Sequence, residues 1–154
     1  MMFLSHVLFG FISGFFACKL LGCNNVFLFA AVASAASAIP DIDHIGSRIG
    51  RKLPPFSVIA NALFSHRGFI HSVFPPLLLY FILAKTNSVI AAAALVGYTS
   101  HLLLDAATTR GIRPFAPVLK MRIRGFIRTG SSAEKIIALL MLTVAIAVVF
   151  SEIV

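Results

Sequence analysis

Charge is what this chain has least of. Only 12% of its 154 residues are Asp, Glu, Lys or Arg, and the acidic residues number five in all. An average soluble domain carries about 25% charged residues. The apolar residues make up 59% of the chain, at a mean hydropathy of +0.98, and they come in long blocks. Together these facts exclude a soluble globular domain and identify an integral membrane protein. Tryptophan is absent while phenylalanine reaches 15, a composition that fits lipid-facing packing and says nothing about a cofactor. Cysteine is limited to Cys18 and Cys23, and two cysteines in an apolar segment are expected to be free and buried. Leu20-Leu21-Gly22-Cys23 superficially resembles a lipoprotein cleavage box, but no basic stretch precedes the apolar run and cleavage would discard His6.

At this length one domain is expected over 1–154, because so short a chain cannot supply a second core beside a set of membrane helices. Five segments read as spanning or deeply inserted helices: 7–22, 26–39, 72–84, 88–104 and 136–151, with 56–65 as a shorter apolar stretch. The expected fold is therefore all-α, a polytopic helical bundle in the membrane. A helix of about 14 residues covers only about 21 Å, against roughly 30 Å of hydrocarbon, so 26–39 and 72–84 are short.

The thirteen basic residues are unevenly placed. Five crossings put the loops at 40–71 and 105–135 on the side of the N-terminus, and these hold Arg48, Arg51, Lys52, Arg67, Arg110, Arg113, Lys120, Arg122, Arg124, Arg128 and Lys135. The opposite turns, Gly22–Asn25 and Lys85–Asn87, are tight and nearly uncharged. That asymmetry predicts a multi-pass inner-membrane protein with a cytoplasmic N-terminus. The run from Arg110 to Arg128 is read as setting orientation and meeting anionic lipid; it lacks the interleaved aromatics of a single-strand platform, and no specific nucleic-acid binding is expected.

All five histidines and all three aspartates fall into short clusters: His6, Pro40-Asp41-Ile42-Asp43-His44, His66, His71, and His101 with Asp105. The topology places all eight at the basic face, with His6 ahead of the first helix. Ionisable groups at membrane depth are costly unless paired or metal-bound. His101 and Asp105 are four apart, on one helix face, with Gly97 a turn back; His6, Gly10 and Gly14 repeat the pattern on the first helix. Docking the two glycine faces would set His6 beside His101. Pro40 ends the second helix, so Asp41, Asp43 and His44 lie on a turn from which they can point the same way. Nitrogen and oxygen ligands without sulfur suit zinc, manganese or magnesium and argue against a structural zinc site.

These motifs, with His66-Arg67-Gly68-Phe69-Ile70-His71-Ser72 and Gly97-Tyr98-Thr99-Ser100-His101 followed by Asp105 and Thr108, resemble the YdjM-like family of membrane-bound metal-dependent hydrolases, also described as LexA-regulated inner-membrane proteins. The likeness runs from His6 to about Glu134. Ile70 stands where the family has a threonine, which removes a hydroxyl and leaves the two histidines. That family is in turn similar to the zinc-dependent phospholipase C and single-strand nuclease group, which implies a phospholipase C-like helical fold. The resemblance implies phosphoester hydrolysis. The residues suit it: two or more divalent ions, zinc first and Mn²⁺ or Mg²⁺ as alternatives, held by His6, Asp41, Asp43, His44, His66, His71, His101 and Asp105, could bind a phosphate and lower the pKa of a water. Asp41 or Asp43 is the candidate base.

Arg67 and Arg110 are candidates for the phosphate oxygens. Ser131 and Glu134 fit a capping box before the last helix, and Glu134, like Ser72, is also a possible supporting residue behind the ligands. Glu152, near the far terminus, reads as solvated. The natural partners are membrane lipid and a phosphoester such as a lipid headgroup. The rival class is a metal-binding or metal-translocating membrane protein without catalysis, which needs a polar route that the spanning segments offer little of. The sequence sets no oligomeric state.

Overall fold

The computed structural model describes residues 2–43 and 69–154. Their fold is all-helical: α1 (Phe3–Leu21), α2 (Val26–Ala36), a short 3-10 turn (Ile39–Asp43), α3 (Phe74–Ala84), α4 (Ser88–Ala106) and α5 (Ser132–Phe150). The apolar stretch 56–65 lies outside the described residues. At 19 residues each, α1, α4 and α5 are long and apolar enough to cross a membrane, spanning about 28 Å. At 11 residues each, α2 and α3 are shorter, about 16 Å.

Local chemistry sets the boundaries. Gly22 closes α1 in the left-handed region at φ 68°, and the Cys23 N–H returns to the Cys18 carbonyl at 3.1 Å. That reversal brings the two cysteines together as a disulfide, Cα to Cα 5.2 Å, which corrects the expectation that both are free. Asn25 caps α2 by accepting from Leu28 N–H, and Asn87 caps α4 by accepting from Val89 and Ile90. Pro75 and Pro76 sit in the first turn of α3, where a missing N–H costs nothing. α1 begins at Phe3 and not near residue 7, so His6 lies inside the helix and not ahead of it. The polar His6 broke the hydropathy pattern without breaking the helix.

Three glycines decide the packing. α2 packs against both α1 and α4, and its centre is Ala33, fully buried with Ala30. A Cβ on Gly14 would sit 2.6 Å from the Ala33 Cβ, and one on Gly10 2.7 Å from the Ser37 hydroxyl. A Cβ on Gly97 would collide with the Ala33 carbonyl. The glycine faces of α1 and α4 therefore both meet α2 at Ala33, and not each other as the sequence pattern suggests, while the two helices touch beside it. Between hydrocarbon and protein there is little hydrophobic gain, so such close backbone approach is what holds membrane helices together.

α4 and α5 are joined by a lobe over 107–131 with two isolated bridges, Thr108 with Ile127 and Ile112 with Ile123. Ile112 is its buried anchor, packed on Tyr98 and Leu102 of α4. At the other end of the bundle Lys19 and Glu152 form an ion pair at 2.6 Å, so Glu152 is not merely solvated; it ties α1 to the residues just beyond α5.

Gly97→Ala is expected to destabilise the bundle by about 1–3 kcal/mol or more, since its Cβ meets backbone that cannot rotate away. Thermal unfolding in detergent checks this against Gly14→Ala, where the nearest obstacle includes a methyl group; equal stability of Gly97→Ala and the native chain would refute the close-approach account.

Candidate metal centre

Five of the eight candidate ligands meet at one end of the bundle. His6 comes from the first turns of α1, His101 and Asp105 from the last turns of α4, His71 from the turn before α3, and Asp41 from the 3-10 turn after α2. His6 and His101 are fully buried, and His71 nearly so. The Asp105 carboxylate faces three imidazoles: Oδ1 lies 3.3 Å from His6 Nε2, and Oδ2 lies 3.5 Å from both His71 Nε2 and His101 Nε2. The His6 and His101 rings stack at 3.7 Å with 15° between planes, and His71 meets His101 edge-on at 5.4 Å. His6 and His101 thus stand side by side as the sequence predicted, although the glycines of both helices meet α2 and not each other.

Proton accounting shows what this arrangement can hold. His101 Nδ1 lies 2.7 Å from the Ser37 carbonyl. A carbonyl only accepts, so Nδ1 carries the hydrogen and Nε2 is the atom left to face Asp105. His101 Nε2 and His6 Nδ1 are buried and make no hydrogen bond among the described residues. A lone pair turned towards a carboxylate at 3.5 Å needs a cation or a proton between them. Protonating both stacked rings would set like charges face to face in a low-dielectric site. A divalent ion meets the same need without that repulsion, and an imidazole whose second nitrogen is tied to a carbonyl is the usual form of a metal-bound histidine. Two groups have ligand atoms within 4.8 Å of one another: His6, Asp41 and His101, and His71, His101 and Asp105. The donors fit a divalent cation.

Several of the residues that build this site carried no obvious signal in the sequence. Ser37 supplies the carbonyl for His101 and donates its hydroxyl to the His6 carbonyl at 3.0 Å. A small polar pair, Ser34 and Ser37, in an otherwise alanine-rich helix is the trace it leaves. Tyr98 donates its hydroxyl to the Ile70 carbonyl at 2.8 Å, fixing the turn that carries His71. Thr108 donates to the Asp105 carbonyl at 2.7 Å and receives Gly111 N–H, closing the end of α4.

The remaining candidates divide. Ser72 is buried, and its hydroxyl donates to the Phe69 carbonyl at 2.6 Å and accepts Phe74 N–H, shaping the turn that carries His71. Glu134 is buried and accepts Met2 N–H at 2.5 Å and Gly130 N–H at 2.6 Å, while Ser131 caps the Glu134 N–H at 3.3 Å. Only half of the expected capping box forms. Its carboxylate instead latches the start of α1, one turn before His6, to the start of α5. Arg110 is exposed, and its carbonyl accepts from the Arg122 guanidinium. His44, His66 and Arg67, and the side chain of Asp43, lie outside the described residues.

Apolar helices long enough to span a membrane, around a buried His–Asp cluster, define a helical membrane protein with a constellation of candidate metal ligands at one end. The chain belongs to the YdjM inner membrane protein family, whose family model matches residues 1–154. It is 36% identical over 136 residues to "Uncharacterized protein YvsG" of Bacillus subtilis (strain 168), covering 86% of this chain and 84% of that one. It is 38% identical over 81 residues to "Inner membrane protein YdjM" of Escherichia coli (strain K12), covering 48% of this chain and 41% of that protein, and to the same degree to "Inner membrane protein YdjM" of Shigella flexneri. No solved structure matches.

Glu134→Ala leaves two backbone donors without their carboxylate, at about 1–3 kcal/mol each. Hydrogen exchange at Met2 and Gly130 is expected to accelerate accordingly while amides in the middle of α4 keep their protection. Unchanged exchange at both would show that the latch holds nothing.

Proposed function

We propose that this membrane protein is a metal-dependent hydrolase of phosphoesters, working at the cytoplasmic surface of the inner membrane. The observation that carries the reading is the buried cluster of His6, His71, His101, Asp105 and Asp41, with His101 held by the Ser37 carbonyl so that Nε2 is left for a cation. In this reading those five residues, with Asp43, His44 and His66 nearby in sequence, hold two or more divalent ions, zinc first. Bound there, such ions would polarise a phosphoryl group and acidify water towards neutral pH. Asp41 or Asp43 takes the proton of the attacking water. Arg67 and Arg110 contact the phosphate oxygens. The likeness to the zinc phospholipase C group belongs to this proposal.

A lipid phosphoester suits the surroundings better than a soluble one. Val7, the residue after His6, opens a groove of 390 Å³ lined by Leu8, Phe11, Ala145, Ile146 and Phe150. Its one polar side chain, Ser34, donates its hydroxyl to the Val7 carbonyl. An acyl chain fits such a lining. The orientation rests on the basic residues gathered at the site end.

Elemental analysis of the purified full chain is expected to find two or more zinc or manganese ions, with His101→Ala losing all of them because His101 belongs to both ligand groups. Turnover of a chromogenic phosphodiester and of a phospholipid should depend on the metal and fall at least about 100-fold in His101→Ala. Metal without turnover on either substrate would favour the non-catalytic metal-binding reading. No metal after reconstitution would overturn both.

A further inference from the structure

The lobe between α4 and α5 carries a surface that, Arg110 apart, hydrolysis does not use. From Ala106 to Ala133 there is no acidic residue, while Arg110, Arg113, Lys120, Arg122, Arg124 and Arg128 all lie exposed. The apolar side chains between them also point outward: Phe126 is 90% exposed and Val118 72%, with Leu119, Met121 and Ile123 about half exposed. A water-facing loop of this composition would be expected to hide those groups.

The lobe is built to present them. Ile112 and Ile123 exchange both backbone hydrogen bonds at 2.9 Å, Thr109 N–H donates to the Ile127 carbonyl, and Gly125 N–H donates to Thr108. Gly125 lies so close to Ala107 that no Cβ fits, and Gly111 turns at φ 63°. The side chains that turn inward are chiefly Ile112 and Ala116. Pro114 is buried with them and Ile127 partly so, and the other large apolar side chains are left on the outside of an ordered backbone. The lobe leaves α4 directly after Asp105 and enters α5 at Ser132, so it lies where two candidate spans emerge from hydrocarbon.

We propose that this lobe docks into the anionic headgroup layer, with Phe126, Val118 and Leu119 entering the hydrocarbon margin and the six cations meeting lipid phosphates. Charge complementarity selects the partner: six cations without a carboxylate require an anionic one. The apolar residues select the lipid surface over a nucleic acid, because only Phe115 and Phe126 are aromatic and no stacking platform exists. Docking also bears on the site, since Thr108 binds the Asp105 carbonyl from within the lobe's first residues. The inference stands whether or not the cluster is catalytic.

Because the chain has no tryptophan, Phe126→Trp creates a single fluorescent reporter. The full-length variant is reconstituted into vesicles of phosphatidylcholine alone or with 30% phosphatidylglycerol, with acyl-brominated lipids as depth quenchers. Emission is expected to shift to shorter wavelength in the anionic vesicles, with at least twofold stronger bromolipid quenching than in the neutral ones. Adding Lys120→Glu and Arg128→Glu, or raising salt to 1 M, where the screening length is about 3 Å, should remove that difference. Water-like emission, open to acrylamide and equal in both vesicles, would overturn the proposal. So would a shift produced by an oligonucleotide or acidic peptide and not by lipid. Val118→Trp repeats the measurement if Phe126→Trp fails to fold.

Discussion

The site end of this bundle depends on one close approach, the contact of Gly97 with the backbone of Ala33. With no side chain at that point α4 comes down onto α2, and one turn later His101 reaches the carbonyl of Ser37. The same helix end also receives α1, where Gly10 leaves room for the Ser37 hydroxyl beside the His6 carbonyl. A single residue at the end of α2 thus sets the height of both imidazoles, and their stacking at 3.7 Å follows from it. A bulkier helix packing would hold the same ligands too far apart to share a charge.

Much of this was legible in the sequence, and what was not has physical causes. The long apolar runs gave α1, α4 and α5 their identity because membrane helices need little more than length and hydropathy. The ligands stood out because ionisable residues are scarce in such a chain. Two things escaped. The partner of the glycine faces was misassigned, since spacing tells which face is bare but not what lies against it, and an alanine-rich helix such as α2 announces no preference. The supporting contacts of Ser37 and Tyr98 run over 64 and 28 residues, and no local pattern reports a hydrogen bond to a distant backbone carbonyl. Glu134 was half legible: the cap on its N–H is local, whereas its bond to Met2 joins opposite ends of the described chain.

The two ends of the bundle differ in kind. At one, two aspartates, three imidazoles and a basic lobe gather around the start of α1 and the end of α4. At the other, the polar links are a disulfide, one exposed lysine and its glutamate partner.

The latch formed by Glu134 has a consequence for biogenesis. His6 is made before its partners His101 and Asp105, which follow some hundred residues later, and the carboxylate that ties down the start of α1 comes later still. While the chain is being inserted, the first helix therefore waits in the bilayer with an unmatched imidazole near its end. Any metal trapped at that stage would be held by fragments of the cluster. The order of synthesis keeps the cluster incomplete until α4 is made, and leaves the start of α1 unlatched until Glu134 follows.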